Sequence, residues 1–240
     1  MKRIAIAFFI VAAAAAPALA QRTDSQPLPT LAVSGDARIL AAPDEATVRL
    51  GIVRQAPTAQ AAQEQTNAIA QEILKGITAL GVPPPQVQTS RLVLSPVYAP
   101  RSPESRDAPR IVAYNASNVV AVRLENLALV GRVIDAGLKA GANQLDGVQF
   151  GLRNELPSRE QALRQAVAEA RSKAQVMADA SRVGLIEVLE ISEGNVSIVP
   201  SFAEQVQFRA AVAQDTPVSP GQIEVRASVT IRYRIGQKPQ

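Results

Sequence analysis

The 240-residue chain has neither histidine nor cysteine. A Ser-His-Asp triad, a Cys-His pair and an ordinary zinc site therefore cannot be built from it. Any chemistry would fall to carboxylates, lysines, hydroxyls and backbone amides. Asp44-Glu45 is an adjacent acidic pair, but neighbouring side chains on a strand point to opposite faces, so the two do not converge on one substrate. An acid beside Pro43 is better explained as a turn residue. Ser158 and Lys173 fall in one predicted helix, yet Ser158 stands where a helix cap is needed, and a Ser-Lys pair requires a deeply buried, neutral lysine. Gly141-Ala142-Asn143 has the start of a phosphate nest without the further glycines and lysine of such a loop. A helix C-cap leading into a strand accounts for it, with Asn143 tying turn backbone together. Tyr114 and Asn118 share one face of a predicted strand and Asn115 the other. No catalytic, cofactor or metal residue is assigned. Gly141, Ala142, Asn143, Tyr114 and Asn118 are retained as a candidate structural motif.

The elements that would position these residues follow from periodicity and punctuation. Lys2-Arg3, the apolar run Ile4 to Ala16 and the small-x-small Ala18-Leu19-Ala20 read as a secretory signal over residues 1–20. A flexible leader follows over 21–30. Leu31 to Ile39 is a first strand, and Val48, Leu50 and Ile52 alternate with wet positions in a second. Thr58 caps a helix running to about Leu80, with Ile69, Ile73, Leu74, Ile77 and Leu80 inward, and Gly81 with Pro83-Pro84-Pro85 ends it. Val87 to Tyr98 and Ile111 to Leu124 form two strands around a polar, proline-broken tip. Asn126 caps a second helix with Leu127, Val130, Val133, Ile134 and Leu138 inward. After the strand ending at Phe150, a Ser158/Gln161 capping box opens the third helix. Its stripe of Ala162, Leu163, Ala166, Val167, Ala170, Ala174, Met177 and Ala178 is narrow enough to lie close on a sheet. Strands follow at Leu185 to Ile191 and Val225 to Arg234. The expected class is α+β, a mixed and largely antiparallel sheet carrying about three helices, with one domain over 31–236, a short tail at 237–240, and room for a two-subdomain division near residue 125.

Between the last two strands, residues 195–220 carry Ile198, Val199, Phe202, Val206, Phe208 and Val212. Such a stretch either tucks onto its own domain or packs on a neighbouring subunit. On the second reading Phe202, Val206 and Phe208 are oligomer contacts. Composition narrows the partners further. Aromatics are 3% of the chain and the formal net charge is only +4, which argues against nucleic acid as a partner.

Taken in order, these pieces resemble the SIMPL-domain family of mostly secreted bacterial proteins. The matching features include Val33-Ser34-Gly35, Pro43-Asp44, Thr58-Ala59, Gln88-Thr89, Pro96-Val97-Tyr98, Tyr114-Asn115-Ala116-Ser117-Asn118, Val133-Ile134-Asp135, Gly141-Ala142-Asn143, Phe150, Lys173-Ala174 and Pro220-Gly221. Ala37 and Ala113 depart from the glycines often found at those places. The resemblance implies a periplasmic or outer-membrane-associated protein. It brings links to immunogenicity and oxidative-stress defence, and no agreed catalytic residues. Met177 is the one methionine beyond the signal and there is no thiol, so direct scavenging of oxidants has little to work with. The leading expectation is a non-enzymatic, cofactor-free periplasmic homo-oligomer acting as a structural or binding component in envelope stress protection. The alternatives are an envelope hydrolase using carboxylates and a protein peripherally associated with the outer membrane.

Overall fold

A computed structural model describes residues 28–100, 108–201 and 216–238. Seven strands and three α-helices follow one another as β1 (Thr30–Ala41), β2 (Glu45–Ala56), α1 (Ala59–Ala79), β3 (Val87–Tyr98), β4 (Ile111–Leu124), α2 (Val130–Lys139), β5 (Gln144–Gly151), α3 (Leu156–Ala180), β6 (Val183–Ser201) and β7 (Gln222–Gln237). The class is α+β, and the strands divide into two sheets with the orders β1-β7-β6 and β3-β4-β2-β5. Every pairing is antiparallel.

Each sheet has its own core. Leu50, Ile52, Val120, Val122 and Leu124 of the four-stranded sheet are buried with Ile73 and Ile77 of α1 and Val130, Val133 and Ile134 of α2. In the three-stranded sheet, Val225, Val229 and Ile231 are buried against Ala162, Ala166, Ala170 and Ala174 of α3. The division does not fall near residue 125, because β5 lies beyond that point and returns to pair with β2. The four-stranded lobe is instead an insertion, residues 45–151, between β1 and α3 of the other lobe.

Local chemistry sets most of the boundaries. Thr58 Oγ1 accepts from the Ala61 amide at 3.2 Å, and Gly81 closes α1 with φ of +88°, the left-handed turn that glycine adopts without a Cβ penalty. The Ser158/Gln161 capping box is not formed. α3 starts earlier, at Leu156, whose amide is bonded by Asn154 Oδ1 at 3.1 Å. Pro157 then sits inside the first turn, where its fixed φ suits a helix and its missing N–H costs nothing. Three residues placed inward by periodicity face outward: Leu74, Leu138 and Met177 are all exposed. The stripes are narrower than the sequence suggests because each helix lies over only part of its sheet.

β6 differs most from expectation. It runs ten positions past the expected end at Ile191, to Ser201, pairing Val196–Ser201 with Gln222–Ala227. Ile198 and Val199 therefore belong to a strand and not to an arm. Phe202, Val206, Phe208 and Val212 lie outside the described residues. After that stretch the chain crosses the four-stranded lobe. Thr216 donates through its hydroxyl and amide to Asp135 of α2 at 2.6 and 3.2 Å, and Val218 packs on that lobe's core.

Candidate functional site

The retained motif resolves into two separate places. Gly141 takes a φ of +108°, Ala142 is buried, and Asn143 acts as one more strand residue beside β2. Its Oδ1 accepts from the Val53 amide at 2.8 Å and its Nδ2 donates to Val53 O at 3.0 Å. Its own amide donates to Gly51 O at 3.1 Å. Both polar atoms of the Asn143 side chain are thus engaged with the backbone of Val53, an arrangement that extends the ladder.

Tyr114 and Asn118 lie on the helix-covered face of β4, away from that turn. Tyr114 is half-buried against the Ala56, Ala62 and Ala116 cluster. Asn118 is buried, and its Oδ1 has no donor among the described residues. It stands on β4 between Ala116 of the small cluster and Val120 of the main core. Thr66 holds the corresponding place on α1, with its hydroxyl donating to Ala62 O at 2.8 Å. A polar seam therefore separates two apolar patches, one of the few places where a buried amide is under-bonded.

Asp44 and Glu45 do not converge. Asp44 fixes the crossing between lobes: its amide donates to Gly151 O at 3.1 Å and its carboxylate accepts from the Arg153 amide at 2.7 Å. Arg153 also pairs with Glu125 at 2.7 Å. Glu45 borders a shallow polar hollow of about 240 Å³ with Thr47, Gln88 and Arg123, and it is the one acid lining it. Glycoside hydrolysis by carboxylates sets two acids on either side of one bond. Among the described residues no group of three or more Asp or Glu side chains could hold a metal ion. No described helix is long and apolar enough to cross a membrane.

Glu224 is the most enclosed charge. It lies on the uncovered face of the three-stranded sheet, 3% exposed, and bridges Arg226 and Arg38, the latter at 2.7 Å. The Arg226 hydrogen bond, more than any other cause, holds its carboxyl below the ordinary 4.5. A charge this enclosed persists only when paired. On the other sheet Arg91 of β3 reaches Asp146 of β5 at 2.9 Å. That pair crosses the face away from the helices, where Gly51 leaves room for the Gln144 side chain, from which a Cβ would stand 2.9 Å.

Lys173 is exposed and ion-paired, not a buried neutral base. It meets Glu169 at 2.9 Å and donates to Ser34 O at 3.1 Å, while the Asp36 amide donates to Glu169 Oε2. Ser34 O and Asp36 N flank Gly35 and point the same way off β1, toward where another strand would bond. One helical ion pair thus occupies two backbone groups of β1, an edge strand of the sheet. This was not visible as a site in the sequence; its traces were a Glu-Lys pair at i,i+4 on α3 and a glycine in β1.

Among the described residues the outer strands elsewhere are apolar. Leu92, Val93 and Leu94 of β3 and Ile186, Leu189 and Ile191 of β6 are exposed. The geometry thus defines a two-lobed antiparallel α+β protein in which, among the described residues, the outer strands β3 and β6 carry exposed apolar side chains.

The chain belongs to the SIMPL family, described as a protein of unknown function (DUF541), which it matches over residues 31–233. It is similar to the 26 kDa periplasmic immunogenic protein of Brucella melitensis, and equally to that of Brucella abortus. In each case identity is 32% over 94% of this chain and 93% of the relative. A third relative, the uncharacterized protein YggE of Edwardsiella ictaluri, is 25% identical over 68% of this chain and 67% of its own length.

Proposed function

We propose that this is a periplasmic protein that works by association: a non-enzymatic homo-oligomer serving as a structural or binding component of the cell envelope. What carries the reading is the exposed row of large apolar side chains on β3 and β6, notably Leu92 at 55% and Ile191 at 62%. Scattered apolar residues are ordinary on a surface, but contiguous ones on unpaired strands mark places where another chain adds. The periplasmic setting is supported by the apparent signal at residues 1–20 and by the names of the Brucella relatives. Protection against oxidative stress comes from the family resemblance. With one methionine and no thiol beyond the signal, such protection would operate through binding or assembly rather than by consuming oxidant.

Light scattering on the chain lacking residues 1–20 tests this directly. The expected result is a mass several times that of one chain. A species that stays monomeric at high concentration sinks the reading.

A further inference from the structure

We propose that the stretch of chain leading into β7, Thr216 to Val218, is a latch that holds the two lobes at one angle, and that the paired crossings at Asp44 and Arg153 are the hinge it restrains.

The lobes are joined by links more than by an interface. Among the described residues, every extensively packed pair of helices or strands lies within one lobe or the other. Lobes that share no large apolar interface move relative to one another unless something else holds them. Two of the links run side by side: β1 leads into β2 through Pro43-Asp44, and β5 leads into α3 through Leu152-Arg153. Asp44 bonds to both Gly151 and Arg153 across the gap, so the two crossings make one joint. A few connecting residues of this kind absorb rotation, as in a hinge. The Arg153–Glu125 pair beside it is exposed at both ends, and solvated ion pairs hold geometry weakly.

The third link is different. β6 and β7 belong to the three-stranded sheet, yet the chain reaches β7 by way of α2 in the other lobe. Three contacts fix it there. Thr216 donates twice to the Asp135 carboxylate, through hydroxyl and amide. Thr216 O lies so close to Gly131 that a Cβ at that position would collide with it. A glycine inside a helix costs about 1 kcal/mol against alanine, a cost that a close backbone approach explains. Gly131 and Asp135 are one turn apart, so both contacts fall on one face of α2. Val218 then packs on the core of the four-stranded lobe. From Val218 to Gln222, the first residue of β7, the tether is too short to take up a swing, because each residue spans at most about 3.5 Å. β7 is the central strand of its sheet, bonded to β1 and β6, so holding its start holds the lobe. The latch sets orientation; each lobe keeps its own core.

The absence of native cysteine makes paired spin labelling a clean test. Gln71→Cys on α1 and Arg171→Cys on α3 place nitroxides at exposed positions in different lobes. Dilution with unlabelled protein confines the distances read by double electron–electron resonance to single chains. One narrow distribution is expected. Gly131→Ala displaces Thr216 O without removing a hydrogen-bonding group, and Asp135→Ala removes both acceptors. Each should at least double the width of the distribution or add a second distance, with circular dichroism confirming that both variants are folded. Because alanine favours the helix, Gly131→Ala keeps the test open should Asp135→Ala fail to fold. Arg132→Ala, at an exposed neighbouring position on α2, should leave the distribution alone. A broad distribution in the unaltered protein would overturn the latch, since nothing would then fix the angle. Unchanged widths in folded Gly131→Ala and Asp135→Ala would overturn it as well and place the restraint at the Asp44–Arg153 joint.

Discussion

Under α1 and α2 the four-stranded sheet meets Ile73, Ile77, Val130, Val133 and Ile134, large branched side chains that hold the helices off and fill the gap. Under α3 the three-stranded sheet meets alanine at 162, 166, 170, 174 and 178, each fully or almost fully buried. The helix lies so close there that a Cβ on Gly35 would collide with Ala166 O and the Ala170 amide. One lobe is held by volume and the other by proximity. That difference has a functional consequence, because only a helix this close can drop Glu169 and Lys173 onto the backbone of an adjacent edge. In the lobe with the tight helix two backbone groups of an edge strand are occupied in this way; in the lobe with the bulky core β3 carries exposed apolar side chains.

The contrast predicts opposite sensitivities. Truncation should damage the bulky core most: Leu50→Ala or Ile73→Ala removes a fully buried side chain and is expected to cost about 4 kcal/mol by urea denaturation. In the tight lobe enlargement does the harm. Gly35→Ala is expected to cost about 3 kcal/mol, since the obstacles are backbone atoms that cannot swing away. A loss below about 1 kcal/mol at Gly35 would break the comparison, because it would mean the helix can lift off without penalty. Gly137→Ala sharpens it. The same change on α2 meets first the side chain of Leu50 and not backbone, and helix propensity improves, so although Leu50 is buried the loss should be smaller than at Gly35, about 1–2 kcal/mol.

Much of this frame is legible in the sequence and some of it is not, for definable reasons. Thr58, Gly81, the alanine stripe and the alternation of Val225 to Tyr233 act locally, so they announce their elements directly. Pairing is not local: nothing in residues 144–151 states that they return to β2, and that return is what separates the two sheets. The expected strand stops at Ile191, yet β6 continues through Gly194-Asn195. The register shifts between Glu193 and Val196, and the bare Cα of Gly194 makes room for the Ser228 side chain, as at a bulge. Glu169 and Lys173 read as an ordinary helical ion pair; that they reach β1 depends on how close α3 lies. Asn143 reads as a residue that ties its own turn, but its side chain bonds Val53 of β2, 90 positions away, so its role depends on a long-range pairing, and the under-bonded seam at Asn118 needs the packing of α1 to exist at all.

Acid provides the gentlest separation of the lobes. Among the described residues, Glu169, Asp179 and Glu224 in the three-stranded lobe and Asp135 in the four-stranded one have carboxyls held below their ordinary values. The leading causes are hydrogen bonds from Lys173, Gln175, Arg226 and the Thr216 hydroxyl respectively. For a depressed carboxyl the unfolded chain takes up the proton first. The stabilisation is therefore complete above the ordinary values of 3.8 and 4.5 and is lost as pH falls through the lower folded ones. Three groups against one means that the alanine-packed lobe should loosen first on acidification, read as earlier loss of amide protection in β1 and β7 than in β2 and β4. Glu224→Gln removes the most enclosed of these titrations, so the fall in stability of the three-stranded lobe below pH 4.5 should become shallower, while that of the other lobe stays unchanged. The effect is small because Arg38 and Arg226 are largely solvated and water screens what they contribute. Simultaneous loss of protection in both lobes would show that the crossings at Asp44, Arg153 and Thr216 bind them into one cooperative unit, and the two modes of packing would then share a single stability.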